Sequence, residues 1–110
     1  MEGASHMPLA RKPARLIVLD TGRVIHLHSP PMTVGRRDPV FGPDPDIVFT
    51  DRQVGRRHAI IDEKDDYTIQ DLNSRNKTTL NGVTLTPGQE YPLHDGDMLT
   101  FGPVKVRFEH

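Results

Sequence analysis

The chain has 110 residues, enough for one domain, with a formal net charge of −1, so anion binding here needs a local patch and a nucleic-acid surface spread over the molecule is excluded. It holds no cysteine, which removes disulfide scaffolds and thiolate metal sites and fits a cytoplasmic protein. Hydrophobic residues make up 35% and aromatics 5%, so the core is predicted to consist of Ile, Leu and Val in the main.

The first seven residues, MEGASHM, resemble a cloning remnant, and PLARKPA after them reads as a flexible basic leader. Residues 1–14 are therefore set apart and the folded domain is expected over 15–110. No apolar stretch approaches the 18 residues of a membrane-spanning helix, so no span is expected in this piece.

Beyond the leader come eleven short apolar or alternating runs. They are RLIVL (15–19), VIHL (24–27), MTV (32–34), DIVF (46–49), HAIID (58–62), YTIQDL (67–72), TTLN (78–81), VTL (83–85), EYPL (90–93), MLTF (98–101) and VKVRF (104–108). They are rich in β-branched residues and spaced about ten residues apart, with Gly and Pro distributed between them, which predicts an all-β sandwich with little or no helix. Asp20-Thr21-Gly22 is placed to close the first hairpin, Asn81-Gly82 to form a type I′ turn, and Asp95-Gly96 to turn the chain into MLTF.

Catalysis finds little support. Ser5, Ser29 and Ser74 are the serines present, and no GxSxG, HExxH or Walker loop occurs. His26 and His28 would share one strand face, but no third ligand stands nearby, so two solvated histidines are expected and no metal site. No other cofactor is implied.

Arginine is more informative. GRRDP (35–39) begins a long loop, GRRHA (55–59) precedes a strand, and NSRNKTTLNG (73–82) offers Ser74, Arg75, Asn76, Lys77 and Thr78. The loops 35–46, 50–57 and 71–78 carry formal charges of −1, +2 and +1. Guanidinium groups are preferred partners of phosphate because they donate two parallel hydrogen bonds. The plainer alternative is solvated arginines paired with Asp38, Asp51 and Asp71. No aromatic side chain interleaves the basic cluster, which argues against nucleic acid.

In order, Gly35-Arg36, Arg56-x-His58, Asn73-Ser74-x-Asn76 and Asn81-Gly82 resemble the forkhead-associated (FHA) domain pattern of GR, then SRxH, then NSxNGTxxNG, and HDGDMLTFG (94–102) resembles its closing turn and strand. The resemblance spans roughly residues 15–109. It implies an antiparallel β-sandwich of about eleven strands, with loops at one end that bind phosphothreonine peptides of a partner protein, a Ser/Thr kinase or its substrate among them.

By the same resemblance, Arg36 holds the phosphate, Gly55 and Arg56 lie where phosphate or peptide is touched, Arg75 takes a position whose hydroxyl often contacts the phosphate, Asn76 bonds the peptide main chain, and Lys77 adds positive charge near the same place. Gly35, His58, Asn81 and Gly82 are structural supports. Two positions depart from the pattern. Gly55 replaces a serine whose hydroxyl contacts phosphate, and Lys77 replaces a glycine, so the loop backbone is expected to differ there. These departures raise the alternative of an FHA fold that has weakened or lost phosphate recognition and acts as a phospho-independent interaction domain.

Overall fold

Each predicted run forms a strand. The computed structural model describes residues 13–40 and 42–110. Its strands are β1 (Arg15–Val18), β2 (Val24–His26), β3 (Met32–Gly35), β4 (Ile47–Val48), β5 (Ala59–Glu63), β6 (Tyr67–Asp71), β7 (Thr78–Leu80), β8 (Val83–Thr84), β9 (Glu90–Pro92), β10 (Met98–Phe101) and β11 (Val104–Glu109). Among the described residues there is no helix, and hence none long and apolar enough to cross a membrane.

Alternation along the strands decides which side chains meet between the layers. In β6, Tyr67, Ile69 and Asp71 are buried while Thr68 and Gln70 are half-exposed. In β1, Leu16 and Val18 point inward, and in β11 Val106 and Phe108 do the same. One sheet has the order β2-β1-β11-β10-β7-β8, the other β4-β3-β5-β6-β9. Leu16, Val34, Ile61, Ile69, Leu99, Phe101, Val106 and Phe108 form the fully buried centre between them. His26 and His28 are exposed on either side of buried Leu27, as their spacing predicts. The leader expected at 1–14 lies outside the described residues up to position 12. Ala14 is buried, and its carbonyl accepts the Leu27 N–H at 2.9 Å.

Every strand pair is antiparallel except β3–β4, which is parallel with Val34 opposite Ile47 and Gly35 opposite Val48. A hairpin cannot join parallel neighbours, and the connection here is the long loop 36–46. Its last residue fastens the return: the Asp46 carboxylate accepts the Thr33 N–H at 2.9 Å, and the Asp46 N–H donates to the Thr33 hydroxyl at 3.1 Å.

The turns follow the residues that permit them. Asn81 (φ 50°) and Gly82 (φ 84°) both take positive φ between paired Leu80 and Val83, the requirement of a type I′ turn. A second two-residue turn, Gly102-Pro103, joins β10 to β11 with Gly102 at φ 59°.

Register places the functional loops at one end. Val34 pairs with Ala59, and Ala59 pairs with Asp71. The chain leaves β3 and β6 and enters β5 at this same edge. Loops 36–46, 49–58 and 72–77 therefore emerge side by side.

Candidate functional site: an arginine-lined cleft braced by a buried histidine

His58 sits where the three loops meet and is fully buried. Its N–H donates to the Val34 carbonyl and its carbonyl accepts from Leu72, both at 2.9 Å. On the ring, Nδ1 accepts the Gly55 N–H at 2.9 Å and Nε2 lies 3.0 Å from the Lys77 carbonyl. A backbone N–H can only donate and a carbonyl can only accept, so the proton is on Nε2 and the ring is neutral. Burial holds its pKa below the ordinary value, partly opposed by the Lys77 carbonyl and the nearby Asp71 carboxylate. The Phe101 ring packs edge-on against it with centroids 5.7 Å apart.

The third loop is closed by a carboxylate absent from the candidates drawn from the sequence. Asp71 is 1% exposed. Its Oδ1 accepts from the Ser74 hydroxyl and, at 2.7 Å, from the Thr78 hydroxyl; its Oδ2 accepts the Ser74 N–H at 3.0 Å. Both ends of loop 72–77 are thus tied to one side chain, and the Ser74 hydroxyl is engaged there. The signal was present as Asp71, Ser74 and Thr78, whose hydroxyls can reach a carboxylate across a tight loop.

Lys77 takes a positive φ although it is not a glycine. It adopts φ 71°, the left-handed region that glycine takes without strain. The cost for such a residue is about 1–3 kcal/mol. Two bonds to the Lys77 carbonyl hold it in place, one from His58 Nε2 and one from the Gly102 N–H, each at 3.0 Å. The lysine side chain itself is exposed, as is that of Arg75. Asn76 donates from Nδ2 to the Gln53 carbonyl at 2.9 Å, stitching the third loop to the second.

Loops one and two are joined more closely still. A Cβ at Gly35 would stand 2.2 Å from the Arg56 carbonyl oxygen, so only glycine fits. Arg36 donates from its N–H to the Gly55 carbonyl and from Nε to the Val54 carbonyl, both at 3.0 Å. Beside this seam opens a cleft of about 300 Å³ lined by Arg36, Asp38, Pro43, Arg56 and Arg57. Arg56 Nη1 makes an ion pair with Asp38 Oδ2 at 2.7 Å. The carboxylates of Asp51 and Asp71, by contrast, serve backbone and hydroxyl donors.

The structure therefore brings Arg36 and Arg56 together in the cleft lining, with Gly55 at the seam beside it, and sets Arg75, Asn76 and Lys77 on the neighbouring loop, outside the lining. Asn81 and Gly82 lie on a separate hairpin. There the Asn81 side chain accepts the Met98 N–H at 2.9 Å and donates to Asp97 at 3.0 Å. Arg57, Asp38 and Pro43 were passed over as site residues. Arg57 belongs to the same GRR triplet as Arg56, but in an irregular loop strand alternation says nothing about which way either side chain points.

The family model described as FHA domain matches residues 32–102. The chain belongs to the FHA domain family. Among similar solved structures is Mycobacterium tuberculosis EmbR in complex with a low-affinity phosphopeptide, at TM-score 0.80 and 27% identity, covering 90% of this chain and 24% of EmbR. A chain solved in a structural and functional study of phosphothreonine-dependent FHA domain interactions gives TM-score 0.76 and 30% identity, covering 90% of this chain and 97% of that one. The FHA domain of FhaA, complexed with the intracellular domain of Rv3910, gives TM-score 0.74 and 31% identity, covering 87% and 99%. This FHA domain spans 23% and 33% of the lengths of two curated relatives that it matches.

Proposed function

We propose that this FHA domain binds phosphothreonine in an extended segment of a partner protein, with Arg36 as the principal phosphate ligand. The observation that carries this reading is the position of Arg36. Its backbone and Nε are fixed by Gly55 and Val54, it lines the cleft, and among the described residues it pairs with no carboxylate. A guanidinium oriented in advance and lacking a counter-ion loses little freedom when it takes up phosphate. Phosphothreonine brings about −1.5 to −2 charges and three acceptor oxygens.

Similar domains bind phosphopeptides and partner proteins, as EmbR and FhaA do, which supports the class of ligand. Arg75, Asn76 and Lys77 stand beside the cleft, where they are suited to meet residues flanking the phosphothreonine. The partner is then a Ser/Thr kinase or one of its substrates, in the cytoplasm. Chemistry on the bound segment has no place in this reading; the domain is a binding module. Against the phospho-independent alternative, Lys77 does adopt a left-handed backbone, φ 71°, despite its side chain.

Titration of the domain with arrayed phosphothreonine peptides and their unphosphorylated forms tests the reading. Binding is expected for phosphorylated peptides alone, and Arg36→Ala is expected to abolish it. That variant forfeits one hydrogen bond to the Val54 carbonyl, about 0.5–1.5 kcal/mol of stability, so it stays folded. Equal binding of phosphorylated and unphosphorylated peptides would overturn the proposal.

A further inference from the structure

We infer that Arg57, and not Arg56, is the second guanidinium that grips the phosphate, with Asp38 holding Arg56 as an internal counter-ion. This inference rests on the phosphothreonine reading and assigns roles within the same cleft. The two adjacent arginines line it together, but their surroundings differ. Arg56 Nη1 lies 2.7 Å from Asp38 Oδ2, and the Asp38 side chain is only 11% exposed while that of Arg56 is 53% exposed. Asp38 is itself anchored, since its Oδ1 accepts the Val40 N–H at 2.8 Å.

Drawing Arg56 away to a phosphate would take the cationic partner from a largely buried carboxylate and set that carboxylate beside a dianion, which costs Coulomb energy and adds repulsion. Arg57 bears no such tie. Its side chain is exposed, and among the described residues it pairs with no carboxylate. Its backbone is nonetheless fixed, because it directly precedes buried His58.

Charge agrees with this division. Three guanidinium groups and one carboxylate leave the cleft with two positive charges, matching the phosphate dianion once Arg56 and Asp38 have neutralised each other. Arg57 also answers the loss of the hydroxyl at Gly55. A guanidinium fork offers two donors and a full charge, whereas a serine offers one neutral donor, and the Gly55 N–H is turned inward to His58.

The test uses the whole 110-residue chain and the tightest phosphothreonine peptide from the array, with binding followed by fluorescence anisotropy. Arg57→Gln is expected to weaken binding roughly ten- to hundredfold, as loss of hydrogen bonds to a charged group does. The double variant Arg56→Gln, Asp38→Asn removes the ion pair without changing net charge, and the amide oxygen it introduces can still accept the Val40 N–H. It is expected to lose clearly less affinity than Arg57→Gln. Thermal unfolding confirms that both variants are folded. An Arg57→Gln variant within about threefold of the parent overturns the inference, and so does a double variant that loses as much as Arg57→Gln. A parent chain that fails to distinguish the phosphorylated peptide from the unphosphorylated one brings down the phosphothreonine reading, and this assignment with it.

Discussion

Gly35 and Gly55 both stand at the seam of the cleft, and they differ in what a side chain would meet. At Gly35 a new Cβ would lie 2.2 Å from the Arg56 carbonyl oxygen, a backbone atom that cannot swing away. At Gly55 the nearest atom would be His58 Nδ1 at 3.6 Å, an ordinary contact. Gly35→Ala is therefore expected to cost at least about 2 kcal/mol in denaturant unfolding, through overpacking against backbone. Gly55→Ser is expected to stay within about 0.5 kcal/mol of the parent and to raise phosphopeptide affinity by up to about tenfold. If Gly35→Ala proved as stable as the parent, the close approach of the first two loops would be refuted. Legibility in the sequence also divides at this scale. Gly35, Arg36 and His58 could be named because their short motifs recur in a fixed order. Asp38 could be named as a counter-charge, but Arg57 could not be told from Arg56, because the loop backbone alone decides which of two adjacent arginines meets the carboxylate.

Among the elements, the loops following β4 and β6 depend on one neutral histidine. Protonation of His58 at Nδ1 would replace the acceptor of the Gly55 N–H by a donor, and burial disfavours the cation as well. The folded-state pKa is lowered from the ordinary 6.5, so the unfolded chain binds more protons. Stability is full above about pH 6.5 and falls as pH drops from there toward the folded-state value, below which this contribution levels out. Urea midpoints of the parent are expected to decline between about pH 7 and pH 5. His58→Ala should be less stable throughout, because Gly55 and Lys77 lose a buried partner, and should lack this part of the decline. A parent midpoint that is flat or rising toward about pH 5 would contradict the neutral-ring assignment. The strands that carry these loops were visible as alternating runs such as YTIQDL, because burial on one face imposes a period of two. The parallel β3–β4 pair was not visible. Its β4 has two residues, Ile47 and Val48, and partnership is settled by the return of loop 36–46 and the bonds between Asp46 and Thr33, for which no periodicity exists.

Across the whole molecule, the core and the cleft share one aromatic side chain. Phe101 is fully buried in the six-stranded sheet. It stacks on Phe49 at 5.9 Å and meets the His58 ring edge-on at 5.7 Å, so it ties the six-stranded sheet to both ends of loop 49–58. Phe108 is equally buried but belongs to another cluster with Tyr67 and His110, at centroid distances of 5.5 and 6.2 Å. Hydrophobic patterning alone makes the two phenylalanines equivalent. Strand order separates them, because Phe101 pairs with Thr78 at the loop end whereas Phe108 pairs with Leu16 near the start of β1. Replacing either by leucine removes ring contacts from a tight interior and is expected to cost about 1–3 kcal/mol in unfolding free energy. The effects on binding should diverge. Phe101→Leu leaves the His58 ring without its edge-on neighbour and should weaken phosphopeptide binding several-fold, measured well below the unfolding transition. Phe108→Leu should bind like the parent at equal stability loss. Equal affinities for the two variants would show that the cleft is held by its loop hydrogen bonds alone, independently of the core beneath it.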